Sequence, residues 1–245
     1  MSRPQALVVR GPGTNRDADA ALALDLAGAE PRIVLAAELV EQPSLVRDVQ
    51  LIVVAGGFSY ADALGAGRLL ALDLSAHGLG DELRRFVAAG RPVIGICNGF
   101  QALVRSGLLP GDGRHVALGH NAGGRFDCRW VRLAPRSTRC IWTAALDEDI
   151  ECPIAHGEGR FTCDDDTYDA LVSGDQIALT YAGVNPNGSR AGVAGICDPS
   201  GVVLGLMPHP ENNVLAHRQP RAGRASTASL GLRLFEEGVR HAKEL

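Results

Sequence analysis

The sequence predicts an α/β fold with a mostly parallel central sheet, to which mixed or antiparallel strands are added in the second half. In the first half, short runs rich in valine and isoleucine do not alternate with polar residues and are separated by helix-compatible segments. Parallel strands covered by helices on both faces show this pattern. After about residue 112, shorter strand-like runs are separated by strong turn sequences at 185–189 and 198–201, which favour antiparallel pairing.

The predicted elements of the first half alternate between strand and helix. Strands are expected at 6–10, 32–35, 51–55 and 93–96, and helices at 15–29, 81–89 and 100–106. Apolar residues at 18, 22, 26 and 29 give the first helix an amphipathic face. In the second half, strands are expected at 126–133, 153–155, 177–181, 193–197 and 202–207, and helices at 166–172 and 230–244. No linker or repeat divides the chain, so we expect residues 1–245 to form a single domain.

Composition and charge narrow the class of protein. Hydrophobic residues make up 46% and charged residues 21% of the chain, and the net charge is −4, so neither nucleic acid nor an anionic membrane is expected as a partner. The N-terminus has no signal-peptide pattern, and no apolar run reaches the roughly 20 residues that span a bilayer. We therefore expect a cytoplasmic protein.

The six cysteines are dispersed without a Cys-x-x-Cys pair, which favours reduced thiols over a disulfide framework. No two cysteines or histidines have the spacing of a ligand pair beside another such pair, so no metal site is expected. His115 and His120, the nearest candidates, are interpreted as solvated loop residues.

Cys97 lies at the apex of a predicted strand, sharp turn and helix, in the sequence Gly95-Ile96-Cys97-Asn98-Gly99. The two glycines suit a crowded turn with unusual backbone dihedrals. At the N-terminus of the helix, the positive end of the helix dipole favours the thiolate, which is the attacking form. The alternative is a buried cysteine that only ends a strand.

A cysteine nucleophile needs a base and a group that orients the base. His209 follows an apolar strand and is flanked by Pro208 and Pro210, which favour an extended path. In an extended chain, residues two apart point the same way, so Glu211 can reach the imidazole. The alternative is a surface histidine in a proline-rich turn.

An acyl-transfer site also needs donors for the oxyanion. The backbone N–H of Asn98 is one candidate, and the Gly56-Gly57-Phe58-Ser59 turn after an adjacent strand is another, since glycine allows close approach to substrate. On its own, this second segment also fits a simple glycine turn.

Together these segments resemble the class I glutamine amidotransferases, and more narrowly the glutaminase-subunit family of phosphoribosylformylglycinamidine synthases. The segments that carry the resemblance run in order along most of the chain: Gly56–Tyr60, Gly95–Gln101, Ala155–Arg160, Asn185–Ser189 and Met207–Glu211, with Arg10, Pro12–Asn15, Asn121 and Arg125-Phe126 fitting as well. One such segment alone is weak, but the ordered set is specific.

The resemblance implies a flavodoxin-like three-layer sandwich, with Cys97 as nucleophile, His209 as general base and acid, and Glu211 as its orienting partner. It implies that glutamine is held by Gln101 and by the Gly57-Phe58 backbone, with His156, Gly157 and Glu158 forming a wall at its amino-acid end. A carboxylate at Glu158 suits the α-ammonium group, although a loop salt bridge is an equal alternative. His156 competes with His209 for the role of base, and His209 is preferred because it has a carboxylate two residues on in a segment beyond the end of an apolar strand.

Several residues depart from the family pattern. Gly11 stands where the family commonly has Phe, and Arg16 where it tends to have Cys. The usual Gly-Asp-Tyr-Leu-Arg after the Gly56 segment is Ala61-Asp62-Ala63-Leu64-Gly65 here, which removes an aromatic residue and a cation. These changes spare the triad and affect docking and coupling to a partner.

The expected function is hydrolysis of L-glutamine in purine biosynthesis, with transfer of ammonia to a separate synthetase subunit. The chain has no Gly-x-x-x-x-Gly-Lys-Ser/Thr segment, so ATP and magnesium are expected only in that large subunit, and no cofactor in this chain. A third, small subunit is a further expected partner. Because the chain begins at Met and has the size of a domain, we expect a free-standing subunit.

Alternatives to this function are another amidotransferase or γ-glutamyl cysteine hydrolase, and a non-catalytic regulatory subunit. The basic loop from Arg218 to Arg224 is either a partner contact or a solvated loop.

Overall fold

The computed structural model describes residues 2–76, 78–218 and 229–245. Its strands are β1 Gln5–Arg10, β2 Glu30–Leu35, β3 Leu51–Val54, β4 Val93–Ile96, β5 Ala117–Gly119, β6 Asp127–Pro135, β7 Ile150–His156, β8 Arg160–Thr162, β9 Ile177–Tyr181, β10 Val193–Cys197 and β11 Val203–Leu206. Its α-helices are α1 Asp17–Ala27, α2 Ala36–Glu41, α3 Arg68–Leu74, α4 Leu79–Ala88, α5 Asn98–Arg105, α6 Asp165–Ser173 and α7 Leu232–Ala242.

A nine-stranded sheet organises the fold, in the order β2-β1-β3-β4-β11-β10-β9-β6-β7. The strands from β2 to β11 in this order pair in parallel, and those from β11 to β7 pair antiparallel. Every residue of β3, β4, β10 and β11 is buried, because helices cover both faces of this part of the sheet. The mostly parallel sheet with antiparallel additions confirms the predicted fold class.

The helices form two layers, one on each face of the sheet. The chain moves from β1 to β2 in one direction and from β3 to β4 in the other, so right-handed crossovers place α1 and α3 on opposite faces. Helix α7 packs against α1, while α5 packs against α3. The carboxyl ends of β3, β4 and β11 consequently meet at one edge, where ligands bind in such folds.

Some predicted boundaries moved, and some elements were missed. The first helix ends earlier than expected, since Gly28 takes a left-handed φ of 92° and its N–H bonds to the last carbonyls of the helix. Helices α2 and α3 and the two-stranded β5–β8 sheet were not predicted, because each is too short for a clear periodicity. His115 and His120 are exposed, as expected. Most of the basic loop from Arg218 to Arg224 lies outside the described residues. No helix in the described ranges is long and apolar enough to cross a bilayer.

Candidate active site

Cys97 occupies the turn between β4 and α5 with φ 50° and ψ −104°. A non-glycine residue in this region is strained, and such strain is typical of functional turns. The backbone N–H of Cys97 donates to Leu206 O of the neighbouring strand at 2.8 Å, and its side chain is nearly buried. The thiol is thus presented at the edge of the sheet by a rigid support.

The two glycines flanking this turn are required for packing. A Cβ on Gly99 would lie 2.0 Å from Val54 O, and a Cβ on Gly95 would lie 2.8 Å from Gly99 O. The predicted crowding of the turn is confirmed. The unusual dihedral, however, belongs to Cys97, and the two glycines keep ordinary φ values. Their role is to let α5 pack closely against β3.

His209 and Glu211 follow β11 and are both almost fully buried. His209 Nδ1 lies 2.6 Å from Glu211 Oε1 and donates to this carboxylate, and the backbone N–H of His209 donates to Pro153 O at 2.8 Å. Cys97 and His209 line the same cavity, and the sulfur is near enough to act on the charge of the imidazole. Nucleophile, imidazole and carboxylate are therefore brought together at one edge of the sheet.

Opposing effects act on the charge of His209. Burial lowers the pKa of the imidazole, but the nearby Glu211 carboxylate and Cys97 sulfur outweigh it and raise the pKa to about 10. The imidazolium is therefore the favoured form at neutral pH, which is the form that can protonate a leaving group.

His156 differs from His209 in every respect that matters for a base. Its Nδ1 contacts the amide oxygen of Asn121 at 3.0 Å and has no carboxylate partner. Burial, and secondarily the nearby His209, lower its pKa to about 4, so the ring stays neutral. His156 lines the cavity but fits a wall better than a proton carrier.

The predicted oxyanion segment after β3 is tied to the helix that follows Cys97. The side chain of Asn98 accepts hydrogen bonds from the backbone N–H of Ser59 at 3.3 Å and from the Ser59 hydroxyl. Gly57 has φ 127°, and a Cβ there would lie 2.6 Å from Asn15 N. The arrangement holds the Gly57 backbone and the Asn98 backbone on the same edge of the sheet.

Gly56 gives a direct test of this packing. A Cβ at this position would lie 2.8 Å from His209 Cε1 and 3.0 Å from Ile96 O, so Gly56→Ala must displace the imidazole or the nucleophile turn. We expect kcat for glutamine hydrolysis to fall about 10²-fold or more, with the fold retained. Steady-state kinetics with circular dichroism measures both. Gly123→Ala, where a Cβ meets nothing within 4 Å, is the matched control, and equal kinetics for the two variants would contradict the expectation.

A cavity of about 380 Å³ opens over Cys97. The predicted site residues that line it are Gly57, Phe58, Cys97, Asn98, Gln101, His156, Gly157, Glu158 and His209. Glu211 is absent from this surface because it lies behind His209. Gln101 donates from its amide to Glu158 O and accepts from Asn98 Nδ2 at 3.2 Å, so it links the nucleophile turn to the opposite wall.

Asp62 also lines this cavity and was missed by the sequence analysis. The residues Tyr60, Ala61 and Asp62 all have positive φ, between 51° and 55°, at a cost on the order of 1–3 kcal/mol each. This strained turn directs Asp62 inward, where it accepts from Asn98 Nδ2 at 3.1 Å. Desolvation, and then the Glu158 carboxylate, raise the pKa of Asp62, and both carboxylates line the same cavity. Only the tertiary structure brings them together.

The Asn185–Ser189 segment supports the site from behind. Asn187 Nδ2 donates to Gly159 O at 2.7 Å, and Ser189 Oγ accepts from the Phe161 N–H at 3.0 Å. Asn121 donates to His156 O at 2.8 Å. These contacts hold the loop that carries His156 and Glu158 without reaching the cavity themselves.

The departures from the family pattern lie around the mouth of the cavity. Arg16 lines the cavity and pairs with Asp19 at 3.1 Å. A Cβ on Gly11 would lie 3.0 Å from Tyr60 Cε2, so a larger residue would displace the strained turn.

Phe58 is 45% exposed and stacks on Phe126 with the ring centroids 6.4 Å apart. Within the described ranges, no three His, Cys, Asp or Glu side chains are grouped to hold a metal ion.

Comparison with known proteins identifies the class and then the family. Residues 3–242 match the model of the CobB/CobQ-like glutamine amidotransferase domain, so the class of protein is a glutamine amidotransferase. The chain is 49% identical over 98% of its length to the phosphoribosylformylglycinamidine synthase subunit PurQ of Treponema denticola, 99% of which is covered. It is 40% identical to PurQ of Dehalococcoides mccartyi over the full length of both chains. The chain therefore belongs to the family of phosphoribosylformylglycinamidine synthase PurQ subunits.

Solved structures agree with this family. A chain in the structure of PurLQS from Thermotoga maritima superimposes with a TM-score of 0.77 at 33% identity, with 97% of this chain and 98% of that chain covered. A putative GMP synthase component from Thermoplasma acidophilum, at 14% identity and a TM-score of 0.61 over 100% of this chain and 96% of that chain, shares the fold alone. The predicted family resemblance and enzyme class are confirmed.

Proposed function

We propose that this protein is the glutaminase subunit of a phosphoribosylformylglycinamidine synthase and that Cys97, His209 and Glu211 carry out glutamine hydrolysis. The observation that carries the proposal is the buried His209–Glu211 pair, 2.6 Å apart, whose imidazole lines the same cavity as a cysteine on a strained turn. The match to PurQ relatives over nearly the whole chain supports the substrate and the pathway.

In this mechanism, the Cys97 thiolate attacks the side-chain amide carbon of glutamine. Backbone N–H groups of Asn98 and of the Gly57 segment stabilise the oxyanion. The His209 imidazolium gives its proton to the departing nitrogen, so ammonia leaves and a glutamyl thioester remains. His209 then removes a proton from water, which attacks the thioester and releases glutamate and the thiolate. Glu211 orients the imidazole and stabilises its charge throughout.

The amino-acid end of glutamine is held at the wall formed by Gln101, Gly157 and Glu158. We assign the α-ammonium group to the space between Asp62 and Glu158, because both carboxylates line this cavity and a cation between them offsets their repulsion. This arrangement favours the ammonium-binding role of Glu158 over a loop salt bridge, since its only ion-pair contact among the described residues is a 3.8 Å approach to His120.

Asp62→Asn tests the ammonium assignment. We expect KM for glutamine to rise about tenfold, with a smaller change in kcat, because a charge-assisted contact is lost. A glutamine analogue that lacks the α-amino group provides a second measurement. The wild type should prefer glutamine over this analogue, and the variant should lose most of that preference. Asp165→Asn, at a surface carboxylate that is 88% exposed, is the matched control. An unchanged preference in Asp62→Asn would show that the ammonium binds elsewhere.

Ammonia reacts as a nucleophile only while it is unprotonated, so its transfer requires a closed passage into a partner. The PurLQS structure of the 33% identical relative supports two partners, a large synthetase subunit with a third, small subunit. ATP and magnesium are used by the large subunit for amination of formylglycinamide ribonucleotide, and this chain binds no cofactor of its own. A cytoplasmic location belongs to the same proposal.

Glutaminase activity of the chain alone and in complex with the synthetase tests the function. A rate that rises strongly on complex formation would fit a gated subunit, whereas indifference to the partner would favour an independent hydrolase. No observation in the described part of the chain supports the regulatory alternative, since His209 pairs with Glu211 and lines the same cavity as Cys97.

A further inference from the structure

The cavity over Cys97, proposed to bind glutamine, is called the glutamine cavity. A second cavity, of about 430 Å³, lies beside it between α3, α5 and the segment around β5. Two arginines, Arg68 and Arg105, line it, and no described residue that lines it is acidic. We refer to it as the arginine cavity. Gln101 lines both cavities, so the arginine cavity shares a wall with the proposed glutamine site but uses none of its catalytic residues.

The two arginines keep most of their hydrogen-bonding capacity free for a ligand. Arg68 donates to Leu64 O at 3.3 Å, and Arg105 donates from Nε to Ala66 O at 3.1 Å. In the described part of the chain, neither has a carboxylate within ion-pair distance, in contrast to Arg47 and Arg85, which both bind Glu82. A guanidinium has five N–H donors, so each arginine retains several that no protein acceptor uses.

The loop before α3 leaves room for one of these guanidinium groups. A Cβ on Gly65 would lie 3.8 Å from Arg105 Nη2, so Gly65 lies beside the Arg105 guanidinium without a side chain that would cover it.

The remaining walls define the kind of ligand. Apolar side chains, including Leu72, Val104 and Val116, line the cavity beside the arginines. Its volume is in the range of small-molecule sites, which combine apolar walls with a few placed polar groups. His115 adds an imidazole edge to the lining.

We propose that the arginine cavity binds a small phosphorylated molecule, with its phosphate between Arg68 and Arg105 and its organic part against the apolar wall. Guanidinium groups match the geometry of phosphate oxygens and form charge-assisted bonds to them. A sugar phosphate or a nucleoside monophosphate has the required combination of an anionic head and a compact body. This binding is independent of glutamine chemistry, so its failure would leave the proposed function intact.

Calorimetric titration of the full chain with adenosine monophosphate, adenosine and inorganic phosphate tests the proposal. We expect the monophosphate to bind with a Kd of about 1 mM or tighter, phosphate to compete, and adenosine to bind at least about tenfold more weakly. The double variant Arg68→Ala/Arg105→Ala should weaken monophosphate binding about tenfold or more. Both residues are exposed, so folding should be unaffected, as thermal melting would verify.

Arg233→Ala is the matched control, because this exposed arginine lies on α7, on the opposite face of the sheet, and should leave binding unchanged. Equal affinity in the wild type and the double variant would overturn the proposal, as would the absence of binding by both monophosphate and phosphate. A third result would also overturn the proposal. If the wild type bound none of these ligands and the double variant failed to assemble with the synthetase, the arginine cavity would be a contact for an acidic surface of the partner.

Discussion

Replacing Cys97 by alanine is expected to reduce glutamine-dependent activity of the synthetase complex by about 10⁴-fold or more, because the substitution removes the sulfur that forms the thioester on the nucleophile turn. Ammonia-dependent activity of the same complex should persist, since the synthetase chemistry lies in another subunit. Coupled assays with glutamine and with ammonium salts as alternative nitrogen donors separate the two activities. The isolated chain should lose its glutaminase activity in parallel.

The control for this experiment is Cys163→Ala, which removes a partly buried thiol outside the lining of the glutamine cavity. It should retain both activities. A Cys97→Ala complex that still used glutamine at the wild-type rate would refute the covalent mechanism. Loss of ammonia-dependent activity as well would indicate failed assembly, which size-exclusion chromatography would detect.

Glu211→Gln is expected to lower kcat about 10²-fold or more, because the imidazole loses both its orienting partner and the charge that raises its pKa. Without that carboxylate, only the Cys97 sulfur opposes the effect of burial, so the pKa of the imidazole falls and it gives up its proton at a lower pH. The basic limb of the pH–rate profile, set in the wild type by a group whose pKa is about 10, should therefore shift to lower pH. Profiles of kcat/KM for both proteins measure the shift.

The raised pKa of His209 in the wild type also makes the stability of the folded protein depend on pH. A histidine whose pKa is raised on folding stabilises the native state fully below its unfolded pKa of about 6.5, and this stabilisation is lost as pH rises through the folded value. The His209 contribution to the free energy of unfolding should thus decline between about pH 6.5 and about pH 10. Urea titrations of the wild type and His209→Asn across this range would measure it.

His156→Asn decides between the two candidate bases. The pKa of His156 is about 4 and its Nδ1 contacts an amide, so the ring does not titrate on the basic limb of the pH–rate profile. His156→Asn should therefore change KM and leave that limb nearly in place. His209→Asn should instead lower kcat about 10³-fold. The reverse pattern would assign the base to His156 and remove the role proposed for His209.

Much of the fold was predictable because its signals are local. The buried strands β3 and β4 are unbroken apolar runs, and the turn sequences at 185–189 and 198–201 end strands in the second half. The nucleophile turn and the Pro208–Glu211 segment are equally local, since two residues in an extended chain suffice to pair His209 with Glu211. The short helices α2 and α3 escaped because fewer than two turns give no usable periodicity.

The amino-acid sequence by itself determined the α/β class and the identity of the three residues proposed for catalysis, because each depends on neighbours a few positions apart. It also determined the family resemblance, because the segments that carry it keep their order along the chain. Only the tertiary structure decided that Asp62 and Glu158, 96 positions apart, line one cavity, that His156 is held neutral by burial, and that Arg105 lies beside Gly65. These relations arise from a strained turn and from helices packed on a sheet. Their physical cause is the approach of distant segments, and no local pattern records it.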